Sequence, residues 1–141
     1  MPPHHRSRRG NRSRFWDRRA RAWVVASRVE RFFEPAVLLA LRSGPSHGYE
    51  LADAVNEWGD HYAVDSGNLS RMLRSLEEDG LVSSTWSEGG PGATRRVYRL
   101  EPKGERVLAA WVDSLADTEQ TLAEFRRRHA ASAGETKGAT P

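Results

Sequence analysis

Asn68, Ser70, Arg71 and Arg74 stand within seven residues of one another, in the stretch GNLSRMLRSLEEDGLV (67–82). A guanidinium can pair with phosphate or grip the edge of guanine with two hydrogen bonds, and asparagine and serine also bond base edges and phosphate oxygens. At 100° per residue, Leu69, Met72, Leu73 and Leu76 form one apolar stripe of a helix. Gly67, Arg71, Arg74 and Glu78 lie opposite, with Ser70 at the edge. The arginines come early in this helix, while Glu77, Glu78 and Asp79 crowd its end. A helix dipole prefers the reverse order, at about 0.3 kcal/mol or more per exposed charge. A breach of a local rule points to a role outside the fold. The competing reading is a solvated face with ordinary surface ion pairs.

Other chemistry finds little support. His47 and His61 with Asp53, Asp60 and Asp65 match no HExxH spacing or tight ligand cluster, and His47 reads as a helix cap. No P-loop, GxSxG or dinucleotide fingerprint is present, and Gly89, Gly90 and Gly92 lead from strand to strand as a turn. With no cysteine there are no disulfides and no thiol nucleophile. We expect no enzyme activity, no cofactor and no metal.

The elements that position the arginines follow from periodicity. VERFFEPAVLLALRSGP reads as a buried helix whose main part opens at Pro35 and stops at Gly44-Pro45. SHGYELADAVNEWG is a second helix, with Leu51, Val55 and Trp58 in register, capped by Ser46 or His47 and ended by Gly59. The arginine-bearing helix is third, capped by Asp65 or Ser66 and closed by Gly80. LVSSTWSE and RRVYRL alternate as strands around GGPGAT and form a hairpin. From Pro102 to about Ala131 one long helix carries Leu108, Trp111, Leu115, Thr118, Leu122 and Phe125 at steps of three and four, a coiled-coil seam.

Three helices, a hairpin and a long helix make a mainly α fold, a winged helix-turn-helix with a C-terminal dimerisation helix. In that design the third helix enters the major groove and reads bases with its N-terminal residues, which explains the early arginines. Arg95, Arg96 and Arg99 give the wing a second basic cluster, expected mostly on phosphate. The seam residues Leu108, Trp111, Leu115, Leu122 and Phe125 are assigned to a homodimer, suited to a palindromic site. The half around Val107 and Trp111 can instead fold back on its own domain. Trp58 and Trp86 are expected as core or packing residues.

The domain reading is therefore an arginine-rich, mostly disordered tail (1–27), a winged helix domain (28–101), a dimerisation helix (102–131) and a frayed tail (132–141). Residues 1–21 hold eight arginines and one acid, a net +7, so with the whole chain at +3 residues 22–141 carry −4. The basic segment reads as a solvated extension, a non-specific DNA-binding arm or a transit peptide. No apolar run approaches a membrane span, so a cytoplasmic protein without a membrane partner is expected.

FFEPAVLLALRSGPSHGYELADAV, GNLSRMLRSLEEDGLV and GGPGATRRVYRLEPKGERVLAAW, in that order, resemble the PadR family of bacterial transcriptional regulators. The resemblance spans roughly Val29 to Trp111. Its specific parts are the His47-Gly48-Tyr49 triplet, the leucine spacing of the third helix and the RRVYRL end. It implies a dimeric winged helix repressor on double-stranded DNA, released by a small ligand or stress signal. The DNA-contact set is then Tyr49, Asn68, Ser70, Arg71, Arg74, Arg95 and Arg96. Trp111 becomes a candidate wall of an effector pocket for a flat aromatic ligand, against plain seam packing. Ser70 stands where many members have tyrosine, and Glu101 where threonine is common. The rival function is a winged helix used only for protein contact, and RNA binding lacks stacking aromatics on the right face.

Overall fold

The computed structural model describes residues 13–89 and 93–138, which fall into two compact units, the first ending at Phe32 and the second beginning at Phe33. In the first unit, β1 (Arg14–Asp17) and β2 (Ala22–Val25) form an antiparallel pair, with Trp16 opposite Trp23 and Phe15 opposite Val24. This corrects the expectation of disorder through residue 27. Five aromatic and β-branched residues, Phe15, Trp16, Trp23, Val24 and Val25, flank a short turn here, and they favour strand pairing even between arginines. The arginines at 6, 8, 9 and 12 lie outside the described residues.

The second unit begins with α1 (Phe33–Arg42), two residues before Pro35, which sits comfortably in the first turn because its missing N–H has no intrahelical partner there. Ala36, Val37, Leu38 and Leu41 are buried, while Leu39 is about half exposed. A two-residue strand, β3 (Ser46–His47), leads into α2 (Gly48–Asn56), whose Leu51 and Val55 are buried. A 3₁₀ turn at Asp60–Tyr62 connects to α3 (Ser66–Glu78). Leu69, Leu73 and Leu76 of α3 face the core, and Met72 lies at the edge of the stripe.

α3 ends at Gly80, whose φ of +77° is left-handed, and the Leu81 N–H returns to the Leu76 carbonyl at 3.0 Å. The wing is β4 (Val82–Gly89) against β5 (Ala93–Leu100), and the sheet order is β3-β5-β4. Pairing of Ser46 with Tyr98 and His47 with Val97 ties the wing's inner strand to the start of α2. The centre of the GGPGAT turn, residues 90–92, lies outside the described residues.

The chain then enters α4 (Pro102–Gly138), a helix of 37 residues. It runs seven residues beyond the expected end, through AASAGETKG, where alanines support helix better than a frayed tail requires. Buried Gly104 allows the first turn of α4 to press on the Leu81 carbonyl. Leu108 is buried in this unit's own core. That removes it from the dimerisation seam, because a side chain packed within its own domain cannot also fill a partner's groove. Trp58 and Trp86, expected as core or packing residues, are 49% and 63% exposed and so lie outside the core.

Candidate nucleic-acid interface

The N-terminus of α3 is built by a short relay. Asp65 caps it, accepting the Asn68 backbone N–H at 2.8 Å through Oδ1 and the Asn68 side-chain amide at 2.9 Å through Oδ2. Asn68 Oδ1 in turn accepts Arg71 Nη2 at 2.7 Å. Asn68 is thus already occupied at both ends of its amide. It fixes the guanidinium of Arg71 more than it offers itself to a base. The spacing Asp65, Asn68, Arg71 is three and three, which puts all three on adjoining turns of one helix face.

Ser70 donates its hydroxyl to the Ser66 carbonyl at 3.0 Å, leaving the oxygen able to accept. Arg74, one turn beyond Arg71, is exposed on the same side. The acids at the far end stay apart from this group, and Glu77 accepts the Ser84 hydroxyl at 2.6 Å. The dipole-opposed arginines therefore form an exposed end of α3 braced by its own cap.

The wing presents Arg95 and Arg96 on aromatic rings. The Arg95 guanidinium lies 5.2 Å from the centre of the Tyr49 ring, and Nη1 donates to the Tyr49 hydroxyl at 3.3 Å. Tyr49 in turn stacks on His47, with ring centres 5.6 Å apart and planes 8° from parallel. Glu50 accepts the His47 backbone N–H at 3.1 Å, closing the N-terminus of α2. Arg96 sits 5.0 Å above the Trp86 ring, its cross-strand partner. Each contact keeps a cation in place without neutralising it. The role of Trp86 was missed in the sequence, where an aromatic in a strand reads as core. Arg99 pairs with Ser83 near the base of the hairpin, away from its tip.

These elements border an open cleft of about 590 Å³ between the start of α2, the Ser66–Ser70 edge of α3 and the wing. His47, Tyr49, Ser66, Ser70, Arg95 and Arg96 line it. Of the expected contact set, Tyr49, Ser70, Arg95 and Arg96 share this cleft, while Asn68, Arg71 and Arg74 lie on the exposed part of α3. Among the described residues, no three His, Asp or Glu side chains gather as a metal site.

On α4, Trp111 is partly buried and its indole N–H donates to Glu34 of α1 at 2.5 Å. Leu115 is half-buried, while Leu122 and Phe125 are 56% and 73% exposed. The seam therefore divides at about Leu115. Its proximal part packs on the chain's own helices, and its distal part is an uncovered apolar edge.

A helical trio followed by a two-stranded wing, with the third helix exposed along one side, defines a winged helix-turn-helix protein. The transcriptional regulator PadR-like family matches the chain over residues 37–110, more than half its length. The chain belongs to that family. The fold is shared with TM0937, a conserved protein of unknown function described as a potential transcriptional factor, at 30% identity and a TM-score of 0.65; 77% of this chain and 98% of that one are covered. It is similar to a transcriptional regulator from Clostridium thermocellum at 25% identity and a TM-score of 0.61, covering 72% of this chain and 98% of that chain. Bacillus subtilis PadR, solved in complex with operator DNA, shares the fold at 22% identity and a TM-score of 0.54, covering 60% of this chain and 48% of that chain. No curated protein matches the chain significantly.

Proposed function

We propose that the chain is a sequence-specific DNA-binding transcriptional regulator, a cytoplasmic homodimer that represses by occupying a palindromic operator. The observation that carries this reading is the braced arginine end of α3 beside two wing arginines held on Tyr49 and Trp86. Arg71 and Arg74 contact bases or adjoining phosphates in the major groove, and Arg95 and Arg96 hold phosphate. Such a division of labour separates specificity from affinity. The exposed distal edge of α4, with Leu122 and Phe125, supports pairing with a second copy. Among the described residues no helix is long and apolar enough to cross a membrane.

Release follows from the same architecture. A small ligand or stress signal acting near Trp111 changes the angle between α4 and the winged helix domain, and with it the separation of the two α3 helices. The Trp111–Glu34 hydrogen bond joins α4 to α1 and is the contact such an effector displaces.

The test is a titration against DNA from upstream of the protein's own gene, beside a scrambled duplex, at several salt concentrations. An arginine reading guanine contributes about 1–3 kcal/mol of discrimination, roughly 5- to 150-fold. Arg71→Ala with Arg74→Ala is expected to collapse the preference between the two duplexes. Equal binding of both duplexes by the parent protein sinks the reading and leaves a protein-contact module in its place.

A further inference from the structure

We propose that the N-terminal hairpin, Arg14–Val25, is a second duplex-DNA contact that grips phosphates through the arginines of its tip. The inference rests on the reading of the chain as a DNA-binding regulator, and adds a site that the winged helix does not contain.

The turn between β1 and β2 carries Arg18, Arg19 and Arg21, all exposed. Asp17 is the single acid of the first 21 residues, and its Oδ1 is used to build the turn, accepting the backbone N–H groups of Arg19 at 2.9 Å and Ala20 at 3.2 Å. No ion pair among the described residues involves Arg18, Arg19 or Arg21. Three cations are thus presented together on a turn whose only carboxylate faces its own backbone.

A two-stranded hairpin is marginally stable in water, so the tip needs a staple. Trp16 and Trp23 supply one as a cross-strand edge-to-face pair with ring centres 5.7 Å apart, and Arg14 lies 5.7 Å from the centre of the Trp23 ring. Phe15, Trp16, Trp23 and Val25 remain 50–67% exposed. The hairpin therefore buries little for the sake of a core, and a stapled, cationic, solvent-facing tip suits a polyanion.

Charge decides which polyanion surface. Residues 1–21 carry +7 and residues 22–141 carry −4, given the +3 of the whole chain. The longer-range attraction to DNA belongs to this segment, and the body supplies the sequence preference. A phosphate contact carries no sequence information, so it strengthens binding to every duplex alike.

The experiment uses the full chain and its Arg18→Gln/Arg19→Gln/Arg21→Gln variant, titrated against operator and scrambled duplexes between 50 and 200 mM salt. Each lost phosphate contact lowers the slope of log K against log salt by about 0.9. We expect the slope to fall by about 2 to 3 on both duplexes, with their affinity ratio unchanged. Over that salt range the parent then loses roughly 15- to 60-fold more affinity than the variant. Trp23→Leu, which removes the staple and no charge, is expected to weaken both duplexes several-fold. An unchanged slope in the glutamine variant overturns the proposal, as does unaltered affinity in Trp23→Leu or a change of oligomeric state in place of binding. Failure of the parent to prefer operator DNA is a different result and counts against the regulator reading.

Discussion

Replacing Gly104 with alanine puts a methyl group where no space exists. An added Cβ lies 2.1 Å from the Leu81 carbonyl oxygen, 3.0 Å from its carbon and 2.7 Å from Leu100 Cδ1. Leu100 can rotate away, but Leu81 is pinned on both sides. Its N–H donates to Leu76 and its carbonyl accepts the Glu101 N–H, each at 3.0 Å. Restoring an ordinary contact of 3.4 Å requires the first turn of α4 to retreat by 1.3 Å. Overpacking against backbone costs about 3 kcal/mol, the upper end of the usual range. Exchange of glycine for alanine inside a helix returns about 0.8 kcal/mol. The net loss of about 2 kcal/mol lowers the melting temperature of a domain this size by about 10 °C. Circular dichroism melts read this directly, with Gly134→Ala as a control, since nothing lies within 4 Å of an added Cβ there. The control is expected to hold or rise slightly. A Gly104→Ala protein melting within about 2 °C of the parent would refute the packing argument.

Two further predictions concern binding and assembly. Trp86→Leu is expected to leave the melting temperature unchanged, because Trp86 is 63% exposed. It should weaken operator binding by about 2- to 5-fold, the worth of an exposed cation–π contact, and Trp86→Phe should restore most of it; equal affinity in fluorescence anisotropy would mean that the ring does not hold Arg96. Leu122→Glu with Phe125→Glu is expected to convert a dimer to a monomer in sedimentation velocity while helix content persists. Leu108→Ala should instead destabilise each chain by about 2–4 kcal/mol, and a parent protein already monomeric at micromolar concentration would remove the distal-seam argument.

Much of the fold was legible because its helices bury a regular stripe. Leu69, Leu73 and Leu76 announced α3 and, with it, the opposite face on which Arg71 and Arg74 stand. The strands of the wing followed from alternation. β3 was not legible, since two residues carry no period and the pairing partner lies some fifty residues further on. Trp86 misled because residue type alone reads as burial, and only the register shows it extending beyond the body to meet Arg96. The hairpin at 14–25 was masked by its arginines, although Phe15-Trp16 and Trp23-Val24-Val25 carry strand chemistry on their own. Leu108 and Leu122 share one periodicity, and which neighbour each meets depends on where the domain ends beneath the helix. The relay from Asp65 through Asn68 to Arg71 has a spacing that sequence displays, yet its hydrogen bonds come into view only once the cap is placed.

α4 also acts as a lever. At 1.5 Å per residue the stretch from Gly104 to Gly138 extends about 50 Å beyond the tight Gly104–Leu81 contact. A tilt of about 5° there sweeps the far end through roughly 4 Å, most of one helical pitch. Small changes of packing at the root are thus amplified into large displacements at the tip, and conversely a firmly held tip resists them. If two chains pair through their distal helices, as proposed, the packing at Gly104 becomes one of the contacts that govern how far apart their α3 helices lie.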